Sequence, residues 1–69
     1  MGSDEPAKLG TLLKYWVEHN QEHSQEIKDW ADKARAMGKS EVAADMLQAS
    51  GAMDQASERL SQALKRLEG

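Results

Sequence analysis

The chain has no cysteine, no phenylalanine, a single proline and no apolar run longer than three residues. Without cysteine there is no disulfide framework, no thiolate metal site and no thiol nucleophile. Without a long apolar run there is no segment able to cross a bilayer as a helix. The opening residues Met1-Gly2-Ser3-Asp4-Glu5-Pro6 have neither the basic region nor the apolar stretch of a secretory signal. An excess of base is lacking too. Nine Lys and Arg stand against twelve Asp and Glu, a net charge of −3, so nucleic acid is not the expected partner. At 69 residues the chain makes at most one domain, too small for the self-contained cleft most enzymes build. These absences lead to the expectation of a soluble, cytoplasmic, non-enzymatic single domain spanning residues 1–69, with no membrane and no nucleic-acid partner.

What is present favours helix. Ala, Leu, Met, Gln, Glu, Lys and Arg dominate, while Val and Ile together occur three times. The former lose little rotamer freedom in a helix, and the latter are the residues strands prefer. Pro6 lies where a proline is harmless, in a leader or a first turn. The expected class is all-α.

Two periodic segments follow a leader at residues 1–10. In the first, helix 1 at about 11–37, the large or apolar positions are Leu9, Leu13, Trp16, Asn20, His23, Ile27, Trp30, Ala34 and Met37. Their spacing alternates four and three, the pattern of a helix packed lengthwise on another. Gly38 then supplies a left-handed C-cap, and Ser40 offers a side-chain oxygen as N-cap to the next helix. In the second, helix 2 at about 41–67, the same alternation runs through Val42, Met46, Ala49, Met53, Ala56, Leu60, Ala63 and Leu67. A repeat underlies it: Gln48-Ala49-Ser50, Gln55-Ala56-Ser57 and Gln62-Ala63-Leu64 are seven residues apart. Gly51 interrupts helix 2 chemically but leaves the phase unshifted. A continuous helix is therefore expected there, with the glycine making room for Ile27 or Trp30.

Two helices of about 27 residues, each about 40 Å long, joined by a short loop form an antiparallel hairpin. The expected core sets Trp16, Asn20, His23, Ile27 and Trp30 against Met46, Ala49, Met53, Ala56 and Leu60. Such a hairpin buries little on its own and has no disulfide to staple it. Self-association into a four-helix bundle, most simply as a homodimer, covers the remainder. A further, unidentified protein partner is compatible with the same surface.

One local sequence carries chemical potential: Trp16-Val17-Glu18-His19-Asn20-Gln21-Glu22-His23. His19 and His23, four apart, project from one helix face and can approach a common point, with Glu22 and Glu26 one turn away. The His pair, completed by Glu22 or Glu26 or by the same pair of a second subunit, could hold Zn²⁺, Ni²⁺ or Co²⁺. It also matches the His-x-x-Glu-His string of inverted zinc peptidases, whose further ligand and substrate groove this short chain does not offer. The alternative for these residues is structural. Asn20 would set register through a symmetry mate, and His23 would pack as a ring between Trp16 and Trp30. No catalytic residue is expected.

The stretch from Leu12 to Ala34, centred on that string and followed by Trp30-Ala31, resembles a family of small prokaryotic helical domains with no established activity. Its pattern reads Trp-x-Glu-His-Asn-x-Glu-His. The family's Pro-His before the first Trp is replaced here by Lys14 and Tyr15. The resemblance implies a helical fold and a shared His pair, not a reaction. Together these observations give the expectation of a self-associating interaction module, with transition-metal binding at His19 and His23 as the alternative.

Overall fold

Pro6 occupies the first turn of the first helix, where its missing N–H leaves no bond unmade, and Glu5 beside it suits the positive helix end. A computed structural model describes residues 4–69, and α1 spans Glu5–Ala36 in it, followed by α2 over Ser40–Glu68. The expected leader is thus helical from Glu5 onward, and its remaining part, residues 1–3, lies outside the described residues. The two helices form an antiparallel hairpin measuring 56 × 15 × 12 Å. Among the described residues no helix is long and apolar enough to cross a membrane.

The turn follows from one glycine. Gly38 has φ of 81°, a conformation in which a Cβ would meet the following carbonyl. The Gly38 N–H donates to the Arg35 carbonyl and the Lys39 N–H to the Ala34 carbonyl, both at 2.9 Å. These are the paired bonds of a Schellman cap, and they satisfy carbonyls that the end of α1 would otherwise strand. Lys39 is the residue capping α2, without a side-chain bond, and Ser40 is already helical. The expected Ser40 cap is displaced because Gly38 completes the reversal one residue earlier.

Helix α2 passes through Gly51 unbroken, but the glycine makes room for nothing, since a Cβ there would meet no atom within 4 Å. Its cost in helix propensity is therefore uncompensated. Gly51→Ala should stabilise the protein by about 1 kcal/mol. In a thermal melt followed by circular dichroism this appears as a rise of about 4–8 °C. An unchanged or lower melting temperature would contradict the open surroundings of that position.

The helices meet along a different seam from the expected one. On α1 the buried and half-buried positions are Gly10, Leu13, Val17, Asn20, Ser24, Ile27, Lys28, Ala31 and Ala34; on α2 they include Ala43, Met46, Ser50, Met53, Ser57, Leu60 and Leu64. One rank of each helix is as expected: Leu13, Asn20, Ile27 and Ala34, and Met46, Met53 and Leu60. The other rank is shifted one residue toward the C-terminus on both helices. Gly10, Val17, Ser24 and Ala31 replace Leu9, Trp16, His23 and Trp30. Ala43, Ser50 and Ser57 replace Val42, Ala49 and Ala56, and Leu64 joins Ala63, which is half-buried as expected. Small side chains therefore line the contact, and the fully enclosed ones are Ala31, Ala43, Ser24 and Ser50. Small residues on both sides let the helices approach closely. The buried apolar residues are Leu13 and a cluster of Ala31, Ala34 and Ala43, with Met46 and Leu47 packed on the cluster.

Candidate interaction face

The shifted seam gives the hairpin two unlike flanks. On one, Lys14 lies 3.7 Å from Glu68, and Lys28 lies 3.0 Å from Asp54. The Ser24 hydroxyl donates to Asp54 Oδ1 at 2.6 Å and lies 3.1 Å from the Ser50 carbonyl. Ser50 in turn donates to the Leu47 carbonyl at 3.0 Å. This polar clasp ties the middle of α1 to the middle of α2, and Ser24 and Ser50 are each only 1% exposed. Buried hydroxyls are tolerable here because each has an acceptor. Ser57 is the exception, with a buried Oγ that has no partner among the described residues.

Asp54 takes its character from the clasp. The Ser24 hydroxyl first, and then Lys28, hold its carboxyl below the ordinary value of 3.8, against a smaller opposing effect of desolvation. A carboxylate whose pKa is lower folded than unfolded stabilises the fold above the unfolded value. That contribution disappears as pH falls through the folded value. Thermal melts of the parent protein and of Asp54→Asn should therefore differ at about pH 6, and the difference should shrink as the pH falls below the ordinary value of 3.8. A gap that persists undiminished in acid would show that Asp54 acts through something other than its charge.

The opposite flank is apolar. The α1 rank Leu9, Trp16, His23, Trp30 and Met37 lies on the same side of the hairpin as the α2 rank Val42, Ala49, Ala56 and Ala63. This follows because the ion-paired ranks occupy the other side of two antiparallel helices. Trp16 is 40% exposed and Trp30 is 51% exposed, and Leu9, Met37 and Val42 are open as well. Lys33 lies over the Trp30 ring at 4.1 Å, the one cation on this edge of the face seen against an aromatic. Of the residues expected in the core, Asn20, Ile27, Met46, Met53 and Leu60 are half-buried, while Trp16, His23, Trp30, Ala49 and Ala56 are exposed on this flank.

The histidines do stand together, but as part of a row of rings. Tyr15 stacks on His19 at 5.3 Å, and His19 meets His23 edge-on at 4.4 Å between centroids. His19, His23, Glu22 and Glu26 are all exposed. Among the described residues no group of three or more metal-ligating side chains comes together in a way that could hold an ion. The expectation of Zn²⁺, Ni²⁺ or Co²⁺ at this pair is therefore overturned, and with it the zinc-peptidase alternative. The physical reason is the register. Helix α2 turns Ala49 and Ala56 toward the histidine flank, and Asp54 is committed to Ser24 and Lys28 on the other.

The clasp residues Ser24, Ser50 and Lys28 are absent from the expected site. Of these only Ser50 had a signal, in the seven-residue repeat, where the third members Ser50 and Ser57 are buried and the alanines beside them, Ala49 and Ala56, are exposed.

A family model described as Domain of unknown function (DUF8180) matches residues 9–67, which takes in most of both helices and the turn between them. No curated protein and no solved structure matches the chain.

Proposed function

The chain belongs to the DUF8180 family, small all-helical domains to which no reaction is assigned, and on that premise we propose that it is a non-enzymatic, cytoplasmic association module. Its partner in this reading is a second copy of itself, and the product is a four-helix bundle. One observation carries the proposal: the hairpin leaves its largest apolar side chains on a continuous flank and encloses mainly alanine and serine.

Area supports the same reading. The chain exposes 5355 Å² for a mass of 7.6 kDa. A globular monomer of that mass exposes about 4,300 Å². The excess, roughly 1,000 Å², is close to the ~800 Å² each partner contributes to an ordinary stable interface. A rod only 12 Å through in its thinnest direction gains most by doubling across that dimension. The face is also self-complementary, because one of its helices supplies bulk and the other supplies alanine.

Sedimentation equilibrium tests the reading directly. The expected mass is twice 7.6 kDa at micromolar concentration, with dissociation on dilution. A single species of 7.6 kDa that persists to about 1 mM, the limit of weak specific association, would sink it.

A further inference from the structure

Two face-to-face arrangements of identical hairpins keep every neighbouring helix pair antiparallel, and they differ in where the two loops lie. With the two-fold axis along the helices, both loops are at one end and α1 packs on the partner's α2. With the axis across the helices, the loops are at opposite ends, and α1 packs on the partner's α1 and α2 on the partner's α2. On the reading that the open flank pairs with a second copy, we propose that the dimer is the first kind, with both Gly38 turns at the same end.

The side chains on the flank decide between them. Within the hairpin, Gly10 of α1 faces Leu67 of α2, with 3.6 Å between Leu67 Cδ2 and a Cβ built on Gly10. That contact sets the axial register. Position 10 is level with 67, and one heptad at a time this places Trp16, His23 and Trp30 near the heights of Ala63, Ala56 and Ala49. A rotation about the long axis preserves height. Each bulky ring of α1 then meets an alanine of the partner's α2, at all three levels and on both sides of the dimer. Helix spacing is then uniform, because each contact pairs one large and one small residue.

The alternative arrangement inverts height. It would set Trp16 against the partner's His23, and Ala56 against the partner's Ala56. Ring on ring along one side forces about 10 Å between axes, while alanine on alanine along the other permits about 8 Å. Two rigid rods joined at such unequal spacings leave a wedge-shaped void, and voids forfeit the contacts that hold an interface together.

The cysteine-free chain makes the test direct. Lys39, exposed in the turn and bonded through its backbone alone, is changed to Cys and spin-labelled, and the label-to-label distance is measured by pulsed dipolar spectroscopy. Loops at one end give about 15–30 Å, from two hairpins roughly 10 Å apart plus the label arms. Loops at opposite ends give a distance on the order of the 56 Å long dimension, which would overturn the arrangement while leaving the dimer standing. No dipolar signal, with a sedimenting mass of 7.6 kDa, would overturn the dimer itself. Lys8→Cys, near the other end of the hairpin, repeats the measurement if the turn variant folds poorly; a distance near the hairpin length is again the contrary result.

Discussion

Trp30→Ala should weaken self-association by about 2–4 kcal/mol, roughly 30- to 1,000-fold in dissociation constant, while leaving the hairpin folded. Trp30 stands half in solvent on the apolar flank. Truncating it removes little from the contact between α1 and α2, and alanine favours helix more than tryptophan does. In the proposed dimer the same ring would fill the space over an alanine of the partner, the setting in which a single aromatic anchor contributes most. Tyr15→Ala is the control. Tyr15 is still more exposed, at 56%, but its rank points away from the flank. Its loss should change the dissociation constant by less than about threefold, within the ±0.5 kcal/mol typical of surface positions. Sedimentation of the two variants decides the matter. Equal effects would mean that association depends on general hydrophobicity and not on this face.

Ala43→Leu should cost the hairpin about 2–3 kcal/mol through overpacking, a fall of about 10–20 °C in melting temperature. Ala43 is fully enclosed and belongs to the Ala31, Ala34 and Ala43 cluster, where the helix backbones come together. Three extra carbon atoms have nowhere to go unless the helices separate, and separation would strain the Ser24–Asp54 contact as well. Ala44→Leu, one residue further along and exposed, should be neutral within about 0.5 kcal/mol. Under the seam that hydrophobicity alone favours, Val42 and Ala49 would be inside and Ala43 would be a bystander. The pair of melts at equal protein concentration separates the two registers. A harmless Ala43→Leu would restore the large-residue seam.

Much of the molecule was legible without coordinates. The helical class follows from the scarcity of β-branched residues, and the turn follows from Gly38 with its cap bonds. The hairpin follows from two periodic segments of similar length and a connection too short for anything but reversal. Half of the seam was legible too, in the ranks of Leu13, Asn20, Ile27 and Ala34 and of Met46, Met53 and Leu60. The other half was not. A four-three pattern through Leu13 and Asn20 can be completed by Trp16 or by Val17, by His23 or by Ser24. The two choices differ by one residue, about 100° around the helix.

The metal expectation failed for the same reason. A His pair four residues apart is a property of one helix and is readable in the sequence. A third ligand is a property of the facing helix, and its register supplied alanines where carboxylates were needed. The clasp of Ser24, Asp54 and Lys28 was hidden conversely, because serine in a periodic segment reads as surface until a neighbouring helix encloses it.

By itself, then, the sequence determined most of what is local: two helices, the glycine-capped turn between them, and a seven-residue periodicity able to bury one stripe of each, though not the early start of the first helix or the residue capping the second. Tertiary structure alone decided which stripe. Hydrophobicity ranks residues by the area they could bury, and by that measure Trp16 and Trp30 belong inside. Two helices in contact are governed instead by how closely their backbones can approach, and glycine, alanine and hydrogen-bonded serine permit the closest approach. The large residues are left on the flank as a consequence.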